Sequence, residues 1–439
     1  MALDRSGALL SASYEDIVGA GLLHEGIYTV DKGLALFATS GVDLSALPRE
    51  EFHGSPYLAL ERRGVLALDA SGADGADAIM LSGGSVCTTR LERSEDRWVV
   101  TKQLVRGRGG FDTVDTSTRH RAEADWLVAR ADYGSDPFPT SRLLRQGTRL
   151  AWEMEFVPRY TLGERMFQGR ETATSSASVL LDAFELLAAK VYGPRLGAVQ
   201  TSYLDIVTRR FRQLRPLDSV YAALWAAGGS VNGRLCAPIA TLLETARGSL
   251  PQIASPRGGR ACHGDLIFED ILPPGAIPGD HGIRLVDPNP LNATPLVDIA
   301  KVLMNIVTCY DLVYRDGNVL AVTPSGAGAV ADIRSSYDPK SRHYVNMCRE
   351  VGGALLGELP RISALMDTEL NPRTVLVQAA LHALALPMFH EAHHGAHARA
   401  RTFAAIGASL LDHSLAGGDL EEWFDGFWGP LQGTTRVHT

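Results

Sequence analysis

Short apolar runs, separated by glycine and polar turns, mark the start of the chain. They predict two pairs of strands, at 26–30 with 34–38 and at 57–60 with 64–68. A stretch rich in glycine, aspartate and serine follows at 70–78 and predicts a boundary. Residues 1–77 are therefore expected to form an N-terminal extension, whose role the pattern leaves open.

Strand-like runs become denser after this boundary and surround one helical pattern. The predicted strands lie at 79–81, 86–91, 98–105 and 150–157, and the predicted helix lies at 117–131. A turn of small residues, Ser82-Gly83-Gly84-Ser85, separates the first two strands. Together these elements predict a small β-rich unit over 78–157.

From about residue 161 the pattern is mainly helical, with glycine and proline breaks. The block 262–298 departs from it, because a loop, a short strand, a Pro/Gly turn and a second strand predict a β-hairpin between helices. The chain is therefore expected to be α+β, with a small β-rich lobe and a larger helical lobe over 158–439. A cleft between two such lobes is a preferred place for a small-molecule site.

Composition and charge narrow the classes of function. The 439 residues are 45% hydrophobic and 21% charged, which is enough to bury a sizeable core. The formal net charge of −8 argues against a nucleic-acid partner held by a general basic field, and the lack of an apolar stretch of bilayer length argues against a membrane partner. The five cysteines are widely spread and the first residues do not resemble a secretory signal, so we expect a cytoplasmic protein.

Lysine is scarce in this sequence. Of 42 basic residues only five are lysines, at positions 32, 102, 190, 301 and 340. Because the chain uses arginine wherever any cation suffices, a lysine more often marks a place that needs a point charge. Lys102, which follows Val99 and Val100 in a predicted strand, is the candidate of this kind.

The strongest chemical signal is a group of acids around the predicted hairpin. His263 and Asp265 are followed by Asp270 five residues later, and Asp287 follows the second strand. Phosphoryl transfer from ATP needs a base or positioner for the attacking hydroxyl, oxygen ligands for Mg²⁺ and a cation on the phosphates. The loop and the hairpin can supply the base and the metal ligands, and Lys102 can supply the cation on the phosphates.

The tripeptide His263-Gly264-Asp265, the pair Ile271-Leu272 and the later Asp298 resemble the aminoglycoside phosphotransferase and choline kinase family of the protein-kinase-like fold. The resemblance extends over roughly 79–300, with the elements in the family's order. It implies a two-lobed fold that uses ATP and Mg²⁺. It also implies phosphorylation of a hydroxyl on a small molecule (an antibiotic, a sugar or a natural-product intermediate) or on a peptide. Asp298 would brace the catalytic loop without doing chemistry.

The same resemblance assigns a role to each candidate residue. The implied nucleotide-binding residues are Gly83, Gly84 and Ser85 over the phosphates, Lys102 with its ion-pair partner Glu123, and Glu155 and Val157 at the adenine edge. The implied metal ligands are Asp270 and Asp287. The implied catalytic residues are Asp265, which would orient or deprotonate the acceptor, and His263, which would act as an acid or brace the loop.

Two departures from the family pattern support a second interpretation. The family has asparagine where this chain has Asp270, and its glycine-containing metal motif is replaced by Asp287-Pro288-Asn289-Pro290. Either the metal shell differs or activity is impaired. An impaired protein would bind a peptide or a partner enzyme in a biosynthetic pathway. The acceptor, the choice of ATP or GTP and the oligomeric state, with a dimer among the options, stay open.

Four histidines, at 390, 393, 394 and 397, are spaced so that several imidazoles can share one helix face. Only Glu391 adds a carboxylate nearby, so a helix end that faces solvent or substrate is favoured over a metal site.

Overall fold

The computed structural model of this chain contains many α-helices and several small antiparallel sheets. The residues that it describes are 26–30, 34–38, 78–81, 87–94, 97–104, 113–130, 137–146, 149–157, 159–193, 195–196, 202–231, 234–254, 259–274, 282–292, 294–315, 339–394 and 397–429. Among these residues no helix is both long enough and apolar enough to cross a bilayer.

The chain divides into two compact units. Unit 1 comprises Met1–Glu164 and Asp270–Asp287, and unit 2 comprises Arg165–Glu269 and Pro288–Thr439. The described elements of unit 1 are β1 (Gly26–Val30), β2 (Leu34–Ala38), β3 (Ala78–Leu81), β4 (Cys87–Ser94), β5 (Arg97–Leu104), α1 (Thr113–Arg130), β6 (Ser141–Gln146), β7 (Arg149–Glu155), and later in the chain β12 (Ile271–Leu272) and β13 (Arg284–Leu285). Strands β1 and β2 form a separate antiparallel pair.

Strand β5 lies in the middle of a five-stranded antiparallel sheet with the order β3-β4-β5-β7-β6. Its residue Lys102 pairs in register with Thr89 on one side and with Trp152 on the other. Val99 and Trp152 are fully buried, and Ala124 brings α1 into the same core. Hydrogen-bonded ladders therefore hold the backbone at Lys102 on both sides, and β-branched and aromatic neighbours pack around it.

The hairpin of β12 and β13 also belongs to unit 1. Ile271 pairs with Leu285 and Leu272 with Arg284, and the N–H of Leu285 donates to the carbonyl of Pro137. Because the two strands are antiparallel, the start of β12 and the end of β13 lie at the same end of the hairpin.

Unit 2 is mainly helical. Its helices are α3 (Ala173–Lys190), α4 (Tyr203–Leu214), α5 (Ser219–Ala226), α6 (Ile239–Ser249), α7 (Pro251–Ala254), α8 (Pro295–Val307), α9 (Tyr310–Arg315), α10 (Pro339–Gly357), α11 (Leu359–Met366), α12 (Pro372–His394), α13 (His397–Leu415) and α14 (Leu420–Trp423), which continues as a π-helical turn (Phe424–Trp428); α2 (Leu162–Phe167) begins in unit 1. Its short strands pair as β8 (Arg195–Leu196) with β11 (Gly259–Arg260) and as β9 (Gly229–Val231) with β10 (Arg234–Cys236).

Helix α8 lies in the core of unit 2 and packs against α12, which pairs with α13. Every residue of α8 is buried except Lys301. Two of its buried residues, Asp298 and Asn305, are polar and fully inaccessible. Buried polar groups require hydrogen-bond partners, so α8 is expected to bond to the segments that surround it.

Most predicted elements are present with small changes of bounds. The predicted pair at 26–30 and 34–38 is confirmed, whereas the pair at 57–60 and 64–68 lies outside the described residues. Helix α1 begins four residues earlier than predicted. Strand β6 was missed: it is an edge strand, its sequence SRLLRQ alternates polar and apolar residues imperfectly, and Arg142 is exposed.

Candidate active site

Lys102 is the centre of a charged group in unit 1, which we call the lysine cluster: Lys102, Glu123, His120 and Asp287. The Lys102 side chain is buried, and its Nζ donates to Glu123 Oε1 at 2.9 Å and also to Asp287 Oδ1. Burial alone would lower the pKa of a lysine, but Asp287 and Glu123 outweigh burial and raise the pKa of Lys102. Lys102 is therefore a permanent buried cation with two carboxylate partners.

The two partners of Lys102 differ in accessibility. The side chain of Glu123, on α1, is 1% exposed, whereas that of Asp287 is 42% exposed. Burial raises the pKa of a carboxyl group, but Lys102 and a hydrogen bond from His120 outweigh it and lower the pKa of Glu123 to about 2. Glu123 can therefore orient the lysine from inside the fold, while Asp287 is the partner that can also reach an external ligand.

His120 is a member of the lysine cluster that the sequence did not reveal. Its Nδ1 lies 3.1 Å from Glu123 Oε2, one turn away on α1, and its ring is 6.1 Å from that of Trp152. Burial lowers the pKa of His120, so the ring is neutral near pH 7 and its Nδ1–H donates to the ionised Glu123. The spacing of three residues on a helix was the available signal.

Asp287 has an unusual backbone conformation. Its φ of 56° places it in the left-handed region, two residues after β13 and directly before Pro288. Aspartate tolerates this region better than most residues, but the conformation still costs free energy. The hairpin stabilises it, because the N–H of Val286 donates to the carbonyl of Asp270 at 3.0 Å.

Asp270 and Asp287 flank the same end of the β12–β13 hairpin. Asp270 is buried, directly before β12, and Asp287 follows β13. Carboxylate oxygens suit Mg²⁺, which commonly takes one or two carboxylates and completes its shell with water and phosphate. Two carboxylates at one end of the hairpin match that donor set, and the metal role of Asp270 and Asp287 stays a prediction.

Arg159 binds the opposite end of this hairpin, and no local sequence pattern marks it. Its Nη1 donates to three carbonyl oxygens, of Leu272 at 3.3 Å, Pro273 at 3.3 Å and Gly282 at 2.5 Å. One buried guanidinium thus satisfies carbonyl groups at the opposite end of the hairpin from Asp287.

The predicted adenine-edge residues lie at the end of β7, where Glu155 is the last strand residue and Val157 comes two residues later. The Glu155 carboxylate accepts from Arg284 at 2.7 Å. The backbone N–H of Glu155 donates to the carbonyl of Thr140. The carbonyl of Val157 accepts from the N–H of Arg159. The Glu155 N–H and the Val157 carbonyl are therefore already engaged, and the adenine role of this segment stays a prediction.

In unit 2 the His-Gly-Asp loop, residues 263–265, is held by Asp298 on α8. Asp298 Oδ2 accepts from the His263 N–H at 3.0 Å, and its Oδ1 accepts from the Gly264 N–H at 2.6 Å. Tyr192 donates to Oδ2 at 3.2 Å. Burial raises the pKa of Asp298 to about 7, although these donors act to lower it. Asp298 braces the backbone of the loop from inside the fold.

Glycine at position 264 is a structural requirement. Its φ is +79°, and a Cβ atom there would lie 2.0 Å from the carbonyl oxygen of Asn289. The same asparagine donates its N–H to the His263 carbonyl at 2.7 Å. The backbone approach that the loop needs therefore excludes any side chain at this position.

His263 and Asp265 have different surroundings within the loop. The His263 side chain is fully buried, and its Nδ1 accepts from the Asp265 N–H at 3.3 Å, which favours the bracing role. Asp265 Oδ1 lies 2.7 Å from Lys301 Nζ. Lys301 was not recognised from the sequence, although the scarcity of lysine and its position three residues after Asp298 were available signals.

Other predicted residues lie outside these two groups. Gly83, Gly84 and Ser85 fall outside the described residues, as do the side chains of His393 and His394. His390 is buried and stacks on Phe403 with ring centroids 5.0 Å apart, and His397 pairs with Glu391. Of the four histidines, those described have packing and pairing roles.

Comparison with known proteins gives the following matches. No family model and no curated protein matches the chain. A solved structure from Haemophilus somnus 129PT, assigned as a fructosamine-3-kinase, is similar with 12% identity and a TM-score of 0.37, over 77% of this chain and 90% of that one. Aminoglycoside phosphotransferase APH(4)-Ia is similar with 12% identity and a TM-score of 0.33, over 67% and 95%. A thermostable mutant of it, in complex with AMP-PNP and hygromycin B, is similar with 13% identity and a TM-score of 0.32, over 73% and 96%. Because these TM-scores lie below 0.5, we base the function on the side chains of the site alone.

Proposed function

We propose that this chain is an ATP- and Mg²⁺-dependent phosphotransferase that phosphorylates a hydroxyl of a small molecule or a peptide. The observation that carries the proposal is the double engagement of Lys102, by a buried Glu123 at 2.9 Å and by a half-exposed Asp287. A buried lysine with one internal and one accessible carboxylate is the arrangement that phosphoryl transfer uses to hold triphosphate oxygens beside a metal.

The lysine cluster divides its roles by accessibility. Glu123 keeps Lys102 in place from inside the fold, so the ammonium stays positioned when Asp287 turns to another ligand. Asp287 and Asp270 would hold Mg²⁺, which neutralises charge on the β- and γ-phosphates when bound. Gly83, Gly84 and Ser85 would cover the phosphates, and Glu155 and Val157 would contact the adenine.

The His-Gly-Asp loop would act on the acceptor. Asp265 accepts a hydrogen bond from the acceptor hydroxyl and receives its proton as the new P–O bond forms and the bond to ADP breaks. His263 and Asp298 hold the loop. Phosphoryl transfer depends mostly on positioning and charge stabilisation, so a carboxylate with a fixed backbone suffices for this task.

This function implies a two-lobed protein-kinase-like fold, with a small lobe over 78–157 and a large lobe over 158–439 apart from the hairpin at 270–287, which belongs to unit 1. We propose a cytoplasmic location and an acceptor that is neither nucleic acid nor membrane, in line with the net charge of −8.

ADP release from ATP, measured with a panel of hydroxyl compounds with and without Mg²⁺, tests the proposal. The expected result is turnover that requires Mg²⁺ and is lost in Asp287→Ala and in Asp265→Ala, while both variants keep the wild-type circular dichroism spectrum. Full turnover in either variant would contradict the assigned roles.

A second function is favoured by one observation, the acid at Asp270 where asparagine is usual, next to an Asp287 followed by proline. Here the chain would bind nucleotide, or a peptide or partner enzyme, without transfer. A nucleotide-dependent rise in Tm with no turnover for any acceptor, and no hydrolysis of ATP by water, would favour this alternative.

A further inference from the structure

Lys301 is exceptional within its helix. It is the one residue of α8 that is not buried, and its side chain and that of Asp265 are each 14% exposed. The two are joined by an ion pair of 2.7 Å between Nζ and Oδ1. The chain has only five lysines, so a lysine at this place is not part of a generally lysine-rich surface.

Lys301 belongs to a polar stripe on α8 that lies beside the His-Gly-Asp loop and the residues after it, up to Phe268. Asp298, Lys301 and Asn305 are spaced by three and four residues, which places them on one helix face. Asp298 accepts from the backbone at 263 and 264, Lys301 pairs with the side chain of Asp265, and Asn305 Oδ1 accepts from the Phe268 N–H at 3.3 Å. The helix therefore holds the loop backbone at two places and the carboxylate of the loop between them.

We propose that Lys301 is a positioning residue for Asp265, which holds the Asp265 carboxylate ionised and in one orientation toward the acceptor hydroxyl. The inference rests on the proposed function and deepens it. A carboxylate whose charge is neutralised by an ammonium is a weak base, so Asp265 orients the hydroxyl by a hydrogen bond and takes its proton only late in the transfer.

Four further titratable groups of the described residues interact electrostatically with Asp265: Asp298, Tyr203, Tyr310 and His382. Burial lowers the pKa of His382 far below its usual range and raises the pKa of both tyrosines, so these three are neutral near pH 7. Glu269 interacts with Tyr310, and Arg210 with Tyr203 and His382. Lys301 forms the 2.7 Å ion pair with this carboxylate.

The test is the pH profile of kcat for Lys301→Met, with the best acceptor of the panel and with water as acceptor. We expect kcat at pH 7 to fall about 10- to 100-fold. The acid limb should move upward by about 1–3 pH units, because an adjacent opposite charge favours the ionised carboxylate by that much. KM for ATP should stay within about twofold of wild type, because the substitution leaves the groups proposed to bind ATP in place.

Two further variants separate positioning from folding. Lys301→Arg keeps the charge, so its acid limb should lie within about half a pH unit of wild type. Lys301→Gln keeps polarity without charge and should behave as Lys301→Met, which also covers the case in which the methionine variant does not fold. Lys190→Met, at an exposed lysine that ends α3, is the control and should leave kcat and the profile unchanged.

An acid limb that stays in place in both Lys301→Met and Lys301→Gln, in an active wild-type enzyme, would overturn the inference and leave the proposed function intact. An arginine variant as impaired as the methionine variant would also overturn it. Wild-type protein without turnover for any acceptor or for water would remove the proposed function, and with it the inference.

Discussion

Two buried carboxylates, one in each unit, have pKa values that are shifted in opposite directions. Glu123 and Asp298 are 1% and 0% exposed. The pKa of Glu123 is lowered to about 2, whereas the pKa of Asp298 is raised to about 7. Glu123 has an ammonium partner, Lys102, while Asp298 has two backbone N–H groups and a tyrosine hydroxyl. A formal opposite charge outweighs desolvation here, and neutral donors do not.

This difference separates the work of the two regions. The lysine cluster is a set of fixed charges suited to a charged ligand, with Asp287 at its accessible edge. The His-Gly-Asp loop is a fixed backbone, shaped by Gly264 and Asp298, that presents a single carboxylate. The lysine cluster therefore fixes the positions of several charges, whereas the His-Gly-Asp loop fixes a backbone conformation.

The largest expected effect is a loss of activity in both regions, which nucleotide binding then tells apart. Asp287→Ala should lower kcat by about 10²- to 10³-fold or more, and abolish the Mg²⁺-dependent part of the Tm rise that ATP produces. Asp265→Ala should lower kcat by a similar factor while keeping that Tm rise. Steady-state kinetics and thermal melting measure both.

Asp205→Ala is the control for these variants, because Asp205 forms an exposed ion pair with Arg247 and should change neither readout. Loss of the Mg²⁺-dependent Tm rise in Asp265→Ala would contradict the division of roles.

The next effect compares the two lysines by stability. Lys102→Met leaves Glu123 buried without its counter-ion, and we expect a loss of about 3–5 kcal/mol in the free energy of unfolding. Lys301→Met breaks a less deeply buried pair, with both side chains 14% exposed, and should cost less, about 1.5–3 kcal/mol. Urea unfolding at pH 7 measures both, and equal losses would show that burial of the pair does not set its contribution.

Gly264→Ala tests the fixed backbone of the loop. The added Cβ would lie 2.0 Å from the Asn289 carbonyl oxygen at a positive φ, and we expect a loss of about 2–4 kcal/mol. Gly248→Ala on α6 is the matched control, since its Cβ would meet nothing within 4 Å. That variant should be stabilised by about 0.5–1 kcal/mol, and a tolerated Gly264→Ala would contradict the close approach.

The last comparison is a pH dependence of stability with opposite signs at the two carboxylates. Asp298 binds its proton more tightly when folded, so it contributes a fall in stability of about 1.4 kcal/mol per pH unit as the pH rises from about 4 to 7. Glu123 binds its proton less tightly when folded, so its contribution is present above about pH 4.5 and is lost as the pH falls toward 2. Urea unfolding of Asp298→Asn and Glu123→Gln should each remove only its own slope. A variant that kept its slope would show that another group titrates there.

The local pattern predicted much of unit 1 and the order of the chemical groups. The strands at 26–30 and 34–38, the sheet around Lys102 and the hairpin beside Asp287 follow from short-range periodicity. Strand β6 was missed because an edge strand has no clear alternation. The contacts of Arg159 with the carbonyl groups of Leu272 and Gly282 join distant segments and leave no local pattern, so this residue could not be ranked from sequence. Lys301 had indirect signals in the sequence, but its contact with Asp265 also joins distant segments.

A crystal structure with AMP-PNP and Mg²⁺ tests most directly whether the lysine cluster is a phosphate site. The account predicts Lys102 Nζ within about 3 Å of a phosphate oxygen and an Asp287 oxygen within about 2.1 Å of the metal, with Glu123 still bonded to Lys102. A bound nucleotide whose phosphates lie away from Lys102, with the Lys102–Asp287 pair unchanged, would contradict it.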